Sequence, residues 1–590
     1  MSPITHHTCS SSPILQNLRA LRASVVKKMP EQQPLTSQLT IKLAGAPVQQ
    51  SVMTAVAEVT VDQHSHLPHM FTIRLHDPGM ELLDSGPFDL TKAIEISAED
   101  AEGNSVKLIS GEITALEPRF EEGMVAELLV RGYDKSHRLY RETKSRAFLN
   151  KKDSDLAADI AQAAGLRPDV DATTTVYDHI YQHNQSDLAF LTERAWRIGY
   201  ECYVADGKLA FKRPTDGRAH VALTWGQDLL SFRPRMTLAE QVNEVVVKGW
   251  DVDKQQAIVG QASNGRLYPQ VGDSKDGAAW ANGFGAGKLV IVNQPVVSQA
   301  EADALAAARL DELSGAFVQA DGLAFRRPDI AAGQRVKLEG LGQRLSGDYL
   351  VTSATHVYAP DGLRTLFTVR GARTGLLAEQ VAGQEPGKRW HGVVTAVVTN
   401  ADDPQKWGRV KVKFPWMADD AESDWARVVS AGAGPEAGFF NMPDVGDEVL
   451  VAFEHGEFNR PLVLGGLWNG QHAEPPSVSG AGRGERPLLR TWHSRSGHHI
   501  TMHDNADKKI ELVTAVGHKI VMDDANGKLT ITSKGGHTIT LDDNGSKLTI
   551  ESTGQLEVKS TGNMKLQAGG NLDLQATGQV NVKGAMVNLN

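Results

Sequence analysis

Apolar and polar side chains alternate in a short, regular pattern near the C-terminal end of the chain. Gly554, Gly562, Gly570 and Gly578 recur at intervals of eight residues, and apolar side chains stand two and four positions after each of them. These apolar positions are Leu556, Val558, Met564, Leu566, Leu572, Leu574, Val580 and Val582. Because one polar residue separates the members of each pair, the pattern predicts a strand with one apolar face in every step.

A longer repeat precedes these octads. Gly497, Gly517 and Gly536 are each followed by His-X-Ile, at spacings of 20 and 19 residues. Each unit predicts two short strands about a polar turn, and the Asn-Gly pairs at 526–527 and 544–545 are strong turn signals. Residues 497–590 also contain no Pro, Phe, Tyr or Trp, which favours narrow, continuous β-structure because Pro cannot donate to a strand ladder.

Two apolar side chains per step are too few to close a core within one chain. Three copies around a common axis would close it and would leave no free strand edge. We therefore predict that residues 491–590 form an intertwined trimeric β-helix, a triple-stranded needle whose core is the eight apolar residues of the octads. A single-chain right-handed β-helix is the alternative.

A second cluster of strands is predicted between residues 389 and 470. This segment holds five of the ten Trp residues and reads as five short strands. Five strands within about 80 residues favour a small closed barrel such as an OB-fold. An OB-fold by itself is compatible with nucleic-acid binding, with sugar binding or with a structural role. Residues 471–490, with Pro475, Pro476 and Pro487, are predicted to be a linker.

The preceding segment, residues 37–380, is predicted to be rich in strands, with a helical insertion at about 150–235. Ser and capping-box signals mark helix starts, and Gly marks their ends. The predicted helices run from Ser154 to Gly165, from Ser186 to Gly199 and from Ser298 to Gly315. Together with the barrel and the repeats, these elements predict a mainly β protein with a minor α+β part.

The composition limits the classes of function. The chain has 590 residues, with 41% hydrophobic and 22% charged residues and a formal net charge of −10. This charge argues against nucleic acid or an anionic membrane as the main partner. No apolar run is long enough to span a membrane, and the N-terminus lacks the apolar core of a signal peptide. The two cysteines, Cys9 and Cys202, cannot form a disulfide framework, and Cys202 reads as a small buried residue.

Motifs that carry chemistry are few. The segment from Asn282 to Leu289 mimics a phosphate-binding loop, but its first position is not Gly and its last is neither Ser nor Thr. His64, His66 and His69 have the spacing of metal ligands without an acidic neighbour, and a metal-free arrangement is favoured. We predict no catalytic residues, no bound metal and no cofactor.

Three further histidines occupy equivalent places in the long repeat. His498, His518 and His537 could stack around a threefold axis and hold an axial ion. The favoured interpretation is that they face solvent or accept hydrogen bonds.

The predicted barrel carries an ordered set of motifs that resembles the OB domain of phage tail spikes and VgrG-type proteins. The set comprises Asp403-Pro404, Gly408–Val412, Phe414–Trp416, Trp425–Val428, Gly446–Val451 and Arg460–Gly465. Ser186–Leu191 and Gly340–Gly342 resemble hub motifs of the same family. The resemblance covers about residues 37–590 and implies tandem β-barrel hub domains, an OB-fold collar and a β-helical needle. Residues 1–36 fall outside it and are predicted to be a flexible N-terminal tail, a cargo or tube contact being the alternative.

In that family the resemblance implies a homotrimeric central spike of a contractile injection machine. Such a spike adapts a hexameric inner tube to a membrane-puncturing needle, contacts baseplate proteins and effector cargo, and carries a PAAR-type tip protein. The expected tip contact consists of the last residues of the chain, namely Met586, Val587, Asn588, Leu589 and Asn590.

The type of machine is suggested by the barrel motif. Many type VI secretion VgrG proteins carry Tyr and His where this chain has Trp407 and Pro415. This difference favours a phage-tail-like particle that is made in the cytoplasm and released from the cell, with a type VI spike as the alternative. A glycan-cleaving phage tail spike and a surface adhesin are the competitors from other classes.

Overall fold

The computed structural model describes residues 38–122, 125–214, 221–265, 269–371, 389–475, 478 and 488–588. The chain divides into two compact units, residues 1–467 and 468–590. The predicted tail lies outside the described residues, as does most of the predicted linker. The domain boundaries given above remain predictions.

The first unit is built mainly from strands. They are β1 (Leu39–Leu43), β2 (Ala46–Pro47), β3 (Val56–His64), β4 (Met70–His76), β5 (Ala93–Glu99), β6 (Ser105–Glu121), β7 (Val125–Asp134), β8 (Thr143–Lys151), β9 (Arg167–Val170), β10 (Tyr177–Ser186), β11 (Glu201–Ala205), β12 (Lys208–Lys212), β13 (Val221–Thr224), β14 (Leu229–Met236), β15 (Glu244–Asp251), β16 (Gln256–Ala262), β17 (Gln270–Val271), β18 (Lys288–Ile291), β19 (Val318–Phe325), β20 (Arg335–Glu339), β21 (Gly347–Ala359) and β22 (Gly362–Val369).

Helices are short and lie between these strands. They are α1 (Gln50–Ala55), α2 (Glu81–Ser85), α3 (His137–Tyr140), α4 (Asp153–Ala163), α5 (Asp187–Arg197), α6 (Gly277–Ala281), α7 (Gln299–Gly315) and α8 (Gly342–Leu345). A 3₁₀ turn follows α6 at Asn282–Phe284. The predicted mainly β class with a minor α+β part is confirmed.

One large sheet organises the hub region, which we define as residues 38–371. It contains 14 strands in the order β14-β19-β22-β21-β3-β4-β7-β6-β5-β1-β2, with β13, β17 and β20 beside this path. Two apolar cores lie along it, one around β1–β7 and one around β13–β22. The antiparallel pairing of β3 with β21, from His64 opposite Ser353 to Val59 opposite Tyr358, joins the strands of the two cores.

Two of the three predicted helices begin where the sequence places them. The Ser186 hydroxyl accepts a hydrogen bond from the Ala189 N–H at the start of α5, and the Ser298 hydroxyl accepts one from the Glu301 N–H at the start of α7. The first helix differs, because α4 begins at Asp153 and the Asp155 carboxylate accepts from the Lys152 N–H. An acidic side chain three residues into the helix therefore replaces the predicted Ser154 cap.

The predicted barrel is present and closed. Its strands are β23 (Val393–Asn400), β24 (Arg409–Lys413), β25 (Ala426–Val428), β28 (Glu448–Phe453) and β29 (Pro461–Gly466), in the closed order β23-β24-β25-β29-β28. The small hairpin of β26 (Ala433–Gly434) and β27 (Ala437–Gly438) leaves the barrel between β25 and β28, and a 3₁₀ turn lies at Glu454–Gly456. We call residues 389–467 the OB barrel.

A two-stranded antiparallel sheet of the hub region contributes a side chain to the core of the OB barrel. Strands β8 and β10 pair only with each other among the described strands, and Tyr181 of β10 is buried in the core of the barrel. The rings of Tyr181 and His183 lie 5.0 and 4.9 Å from that of Phe458, and the Asn459 side chain accepts from the Tyr181 N–H at 2.6 Å. The hub region and the OB barrel therefore share one aromatic core.

The second unit contains a regular meander. Seven five-residue strands pair antiparallel in sequence order, each with the next. They are β30 (Leu489–His493), β31 (His499–His503), β32 (Lys509–Val513), β33 (Lys519–Asp523), β34 (Lys528–Thr532), β35 (Thr538–Asp542) and β36 (Lys547–Glu551). A single-chain β-helix pairs parallel strands, so this alternative is wrong for residues 489–551. The strands here pair within the chain, which the prediction of an intertwined helix from residue 491 did not anticipate.

Truncation of Phe458 tests the shared aromatic core. Phe458 is 2% exposed, so Phe458→Ala should lower the free energy of unfolding of the OB barrel by about 3–5 kcal/mol, through lost contacts and a residual cavity. Urea unfolding followed by tryptophan fluorescence measures this, since Trp390 lies 5.5 Å from the Phe458 ring. The control Phe284→Ala removes a ring that is 85% exposed and should change stability by about 0.5 kcal/mol or less. Equal losses in both variants would contradict the shared core.

The buried thiol of Cys202 should be chemically silent. Burial raises the pKa of Cys202 to about 12, and the thiolate is the reactive form. In a Cys9→Ser variant at about pH 8, we expect no alkylation of the native protein by iodoacetamide and complete alkylation in guanidinium. Intact-protein mass spectrometry measures both states. Native alkylation as fast as that of free cysteine would show that Cys202 is not in the core.

Candidate assembly face of the C-terminal unit

The five-residue strands of the second unit have one apolar face and one polar face. Side chains alternate across a strand, so the second and fourth residues of each strand share a face. In β31 to β36 both of these residues are apolar, and in β30 only the fourth one is. The apolar set is Trp492, Ile500, Met502, Ile510, Leu512, Ile520, Met522, Leu529, Ile531, Ile539, Leu541, Leu548 and Ile550.

The strand register turns these side chains into two continuous columns. Met502 lies opposite Ile510, which lies opposite Met522, and Leu512 lies opposite Ile520 in the parallel column. The same pairing continues down to β36, where Leu541 faces Leu548 and Ile539 faces Ile550. We call this two-residue-wide strip the apolar strip.

The apolar strip is open within the chain. Ten of its 13 residues are exposed, from 37% for Ile539 to 63% for Leu548, and the others are half-buried. Monomeric soluble proteins rarely leave a contiguous apolar surface of this kind uncovered. The strip therefore has the composition of a protein core but not the burial of one.

The octads continue the pattern beyond the last strand. Their eight predicted core residues are all exposed, between 49% for Met564 and 71% for Val558. No strand is assigned in residues 552–588, although the structure describes this segment. Within one chain, the octads thus lack both the side-chain cover and the ladder partners that their alternation calls for.

The predicted tip residues are described only in part. Met586 and Val587 are 80% and 49% exposed, and Asn588 is exposed. Leu589 and Asn590 lie outside the described residues. The assignment of these residues to a tip contact stays a prediction.

Sequence reasoning restricted the core to the octads and missed the 13 residues of the apolar strip. The signal was present, because five of the seven strands, namely β31, β32, β34, β35 and β36, have the same apolar–polar–apolar triplet as an octad. It was obscured by the variable turn lengths, which interrupt the eight-residue period.

The opposite face of the meander is polar and ordered. Its central column runs Thr491, Thr501, Glu511, Val521, Thr530, Thr540 and Thr549. Glu511 forms ion pairs with Lys509 at 3.1 Å and Lys519 at 2.9 Å. Partial burial opposes ionisation of this carboxyl, but the two ammonium groups outweigh it and lower the pKa of Glu511. A charged network therefore lies on the face opposite the apolar strip.

Three equivalent histidines connect successive turns along one edge of the meander. The Nδ1 atoms of His498, His518 and His537 accept hydrogen bonds from the N–H groups of Ala515, Lys534 and Thr553, at 3.1, 3.3 and 3.1 Å. The interpretation of these residues as hydrogen-bonded histidines is confirmed. An acceptor role fixes the ring tautomer, with the proton on Nε2.

The glycine-rich segment that mimics a phosphate loop is closed by its own contacts. The Gly287 N–H donates to the Asn243 side chain at 2.8 Å, and Lys288 pairs with Glu244 at 3.1 Å. The N–H and the ammonium group that a phosphate would need are already bonded.

The His64, His66 and His69 side chains do not converge. The His66 ring packs edge-on against Trp196 at 5.7 Å, whereas His69 is buried with its Nδ1 3.8 Å from Asp134. Burial lowers the pKa of His69 despite this carboxylate. Among the described residues, no group of three or more His, Cys, Asp or Glu side chains is placed to hold a metal ion. No helix in the described ranges is long and apolar enough to cross a membrane.

Two family profiles match the chain. The Alg8 N-terminal domain matches residues 34–359, more than half of the chain. The type VI secretion system/phage-baseplate injector OB domain matches residues 394–468, which coincide with the closed barrel.

Curated relatives match over a short stretch. The chain is 39% identical over 100 residues to the type VI secretion system spike protein VgrG4b of Pseudomonas aeruginosa, covering 16% of this chain and 12% of that protein. It is 40% identical over 100 residues to VgrG5 of the same organism, covering 16% and 13%. The chain therefore spans about one-eighth of the length of these relatives.

Solved structures resemble the chain at low identity. A prophage MuSo2 43 kDa tail protein from Shewanella oneidensis matches with a TM-score of 0.44 and 14% identity, over 57% of this chain and 99% of that one. The c3393 protein of E. coli, described as a component of the type VI secretion system, matches with a TM-score of 0.46 and 15% identity, over 72% and 99%.

The injector OB profile agrees with the motifs of the barrel. The chain belongs to the family defined by the Alg8 N-terminal domain, here joined to an injector OB domain, and over 100 residues it is similar to spike proteins of the VgrG type.

Proposed function

We propose that three copies of this chain assemble into the central spike of a contractile injection machine. The apolar strip of the C-terminal unit is the observation that carries this proposal. In the spike, the hub region contacts the hexameric inner tube and the baseplate, and the repeats form a needle that bears a tip protein. Effector cargo travels with the same assembly.

The dimensions of the apolar strip support threefold assembly. Each strand contributes at most two apolar side chains, so one sheet cannot fold over its own strip without a second layer. Three sheets that turn their strips toward one axis form a closed prism and leave no open edge. Burial of an aliphatic side chain contributes roughly 1.5–3 kcal/mol, so the strip and the octads together supply a driving force of tens of kcal/mol.

The octads extend the same proposed core, but their backbone hydrogen bonds are formed differently from those of the meander. The meander strands already have ladder partners within the chain, and association need only cover their apolar strip. Residues 554–588 have no such partners in the part of the chain that the structure describes, so in the proposed trimer their N–H and C=O groups pair between chains. The core residues of the octads and of the strip then form one continuous column.

The proposed work of the spike is mechanical and not enzymatic. Sheath contraction drives the tube forward, and the narrow needle concentrates the force on a small area of target membrane. The curated relatives are spike proteins by name, which supports this interpretation. A glycan-degrading tail spike is the alternative, and release of soluble sugar from cell-wall or surface polymer by the purified protein would favour it.

The type of machine is a separate part of the proposal. Trp407 and Pro415 in the barrel motif favour a phage-tail-like particle that is released from the cell, whereas the named relatives belong to type VI secretion. Fractionation of the native source separates the two. If the machine is a released phage-tail-like particle, the chain should be found in sheathed particles in the culture medium. If it is a type VI secretion system, the chain should be found in cell-bound machines.

Removal of the C-terminal unit should abolish the trimer. We expect the full chain to sediment as a tight trimer and a truncation after Gly480 to sediment as a monomer or weak oligomer, because the main apolar surface has been removed. Analytical ultracentrifugation over a range of concentrations measures both. A monomeric full chain would contradict the proposal.

A matched pair of substitutions in β35 separates the two faces of the sheet. Leu541 is 40% exposed on the apolar strip, and its neighbour Thr540 points to the polar face. Leu541→Asp should prevent stable trimer formation, since a charge in each chain would enter the dry axis. Thr540→Asp introduces the same charge on the other face and should leave the trimer intact. Equal behaviour of both variants in size-exclusion chromatography with light scattering would show that the strip is not the interface.

A further inference from the structure

Helix α5 is the place where three parts of the first unit meet. Its residue Arg194 donates to Asp153 at the start of α4 at 2.6 Å. Arg197 pairs with Glu301 in the first turn of α7 at 2.7 Å and with Glu457 of the OB barrel at 3.7 Å. We call these five residues, together with Glu193 of α5, the junction cluster.

Glu193 differs from the other carboxylates of the cluster. It accepts a hydrogen bond from the neutral Gln185 amide at 2.7 Å, and no ion pair among the described residues includes it. Two guanidinium groups already face three carboxylates, those of Asp153, Glu301 and Glu457. An ionised Glu193 would add a second uncompensated negative charge to a buried cluster.

The surroundings of Glu193 hold a proton on it. Burial raises the pKa of Glu193 to about 7, and the charge of Glu457 acts in the same direction, while Gln185, Arg197 and Arg194 oppose the shift. Glu457 behaves in the opposite way, because Arg197 overcomes its burial and lowers its pKa, with Asn459 and His183 adding to the effect. At the contact between α5 and the OB barrel, the surroundings therefore favour the protonated form of Glu193 and the ionised form of Glu457.

We propose that Glu193 is a proton-controlled lock between the hub region and the OB barrel. With its proton in place, α5 packs against the loop of Glu457 and the shared aromatic core stays closed. Loss of the proton puts two carboxylates in mutual repulsion across the contact, and the OB barrel gains freedom relative to the hub region. This lock operates within one chain and does not depend on the proposed trimer.

The direction of the pH effect follows from the two states. In an opened junction Glu193 is hydrated and has its ordinary pKa of 4.5, whereas in the closed junction its pKa is about 7. The ratio of the open to the closed population therefore increases as the pH rises from about 4.5 to about 7, and it becomes constant above that range. Between about pH 5.5 and pH 7.5 the opening equilibrium should increase about twentyfold.

Hydrogen exchange of the full chain tests the lock. The reporters are the backbone amides of residues 177–186 and 454–460, corrected for the intrinsic pH dependence of exchange. In the wild type their protection should fall about twentyfold between about pH 5.5 and pH 7.5. Glu193→Gln mimics the protonated side chain and should keep the acid level of protection at both pH values. Glu102→Gln removes an exposed carboxylate of the hub region and should behave like the wild type.

Parallel pH profiles of the wild type and Glu193→Gln would overturn the proposal. If Glu193→Gln fails to fold, Glu457→Gln gives a second test. Removing the Glu457 charge takes away one cause of the raised pKa of Glu193, so the loss of protection between the two pH values should become smaller. An unchanged loss of protection in Glu457→Gln would equally overturn the lock.

Discussion

The central constraint on this protein is an apolar strip two side chains wide that its own chain leaves uncovered. Each strand from β31 to β36 places two aliphatic or Met side chains on one face. The octads also have two apolar residues separated by one polar residue, but they have no ladder partner among the described residues. An isolated chain would hold this surface in water at a large cost in free energy. The shape of the strip, long and of constant width, fits a rod-like core that is shared between copies.

The strand register of the meander keeps the apolar strip on one face of the sheet. A slip of one residue in any strand pair would send its apolar pair to the polar side. The turns resist such a slip, because His498, His518 and His537 tie each turn to the next on one edge. On the other edge the Asp543 N–H donates to the Gly527 carbonyl, and the Asn544 amide donates to that of Asn526. The hydrogen bonds between successive turns thus fix the strand register.

The sequence predicted what depends on local pattern. The turns and strands of the closed barrel and the Ser186 and Ser298 caps each follow from residues close together in the chain. The trimeric core of the octads stays a prediction. The insertion of Tyr181 into the barrel could not be predicted, since its partner Asn459 is 278 residues away. The raised pKa of Glu193 could not be predicted either, since Glu457, which contributes to it, lies in the OB barrel, far away in the sequence. The strip was missed because turns of unequal length break its period.

Hydrogen exchange of residues 554–588 in the purified full chain tests the shared core most directly. This segment pairs with no other described strand of the chain, so the proposed spike protects its amides through partners in other copies. The assembled spike predicts exchange slowed by several orders of magnitude over the whole segment. Exchange at the rate of an unstructured peptide, in protein that is otherwise folded, would show that the octads form no common core.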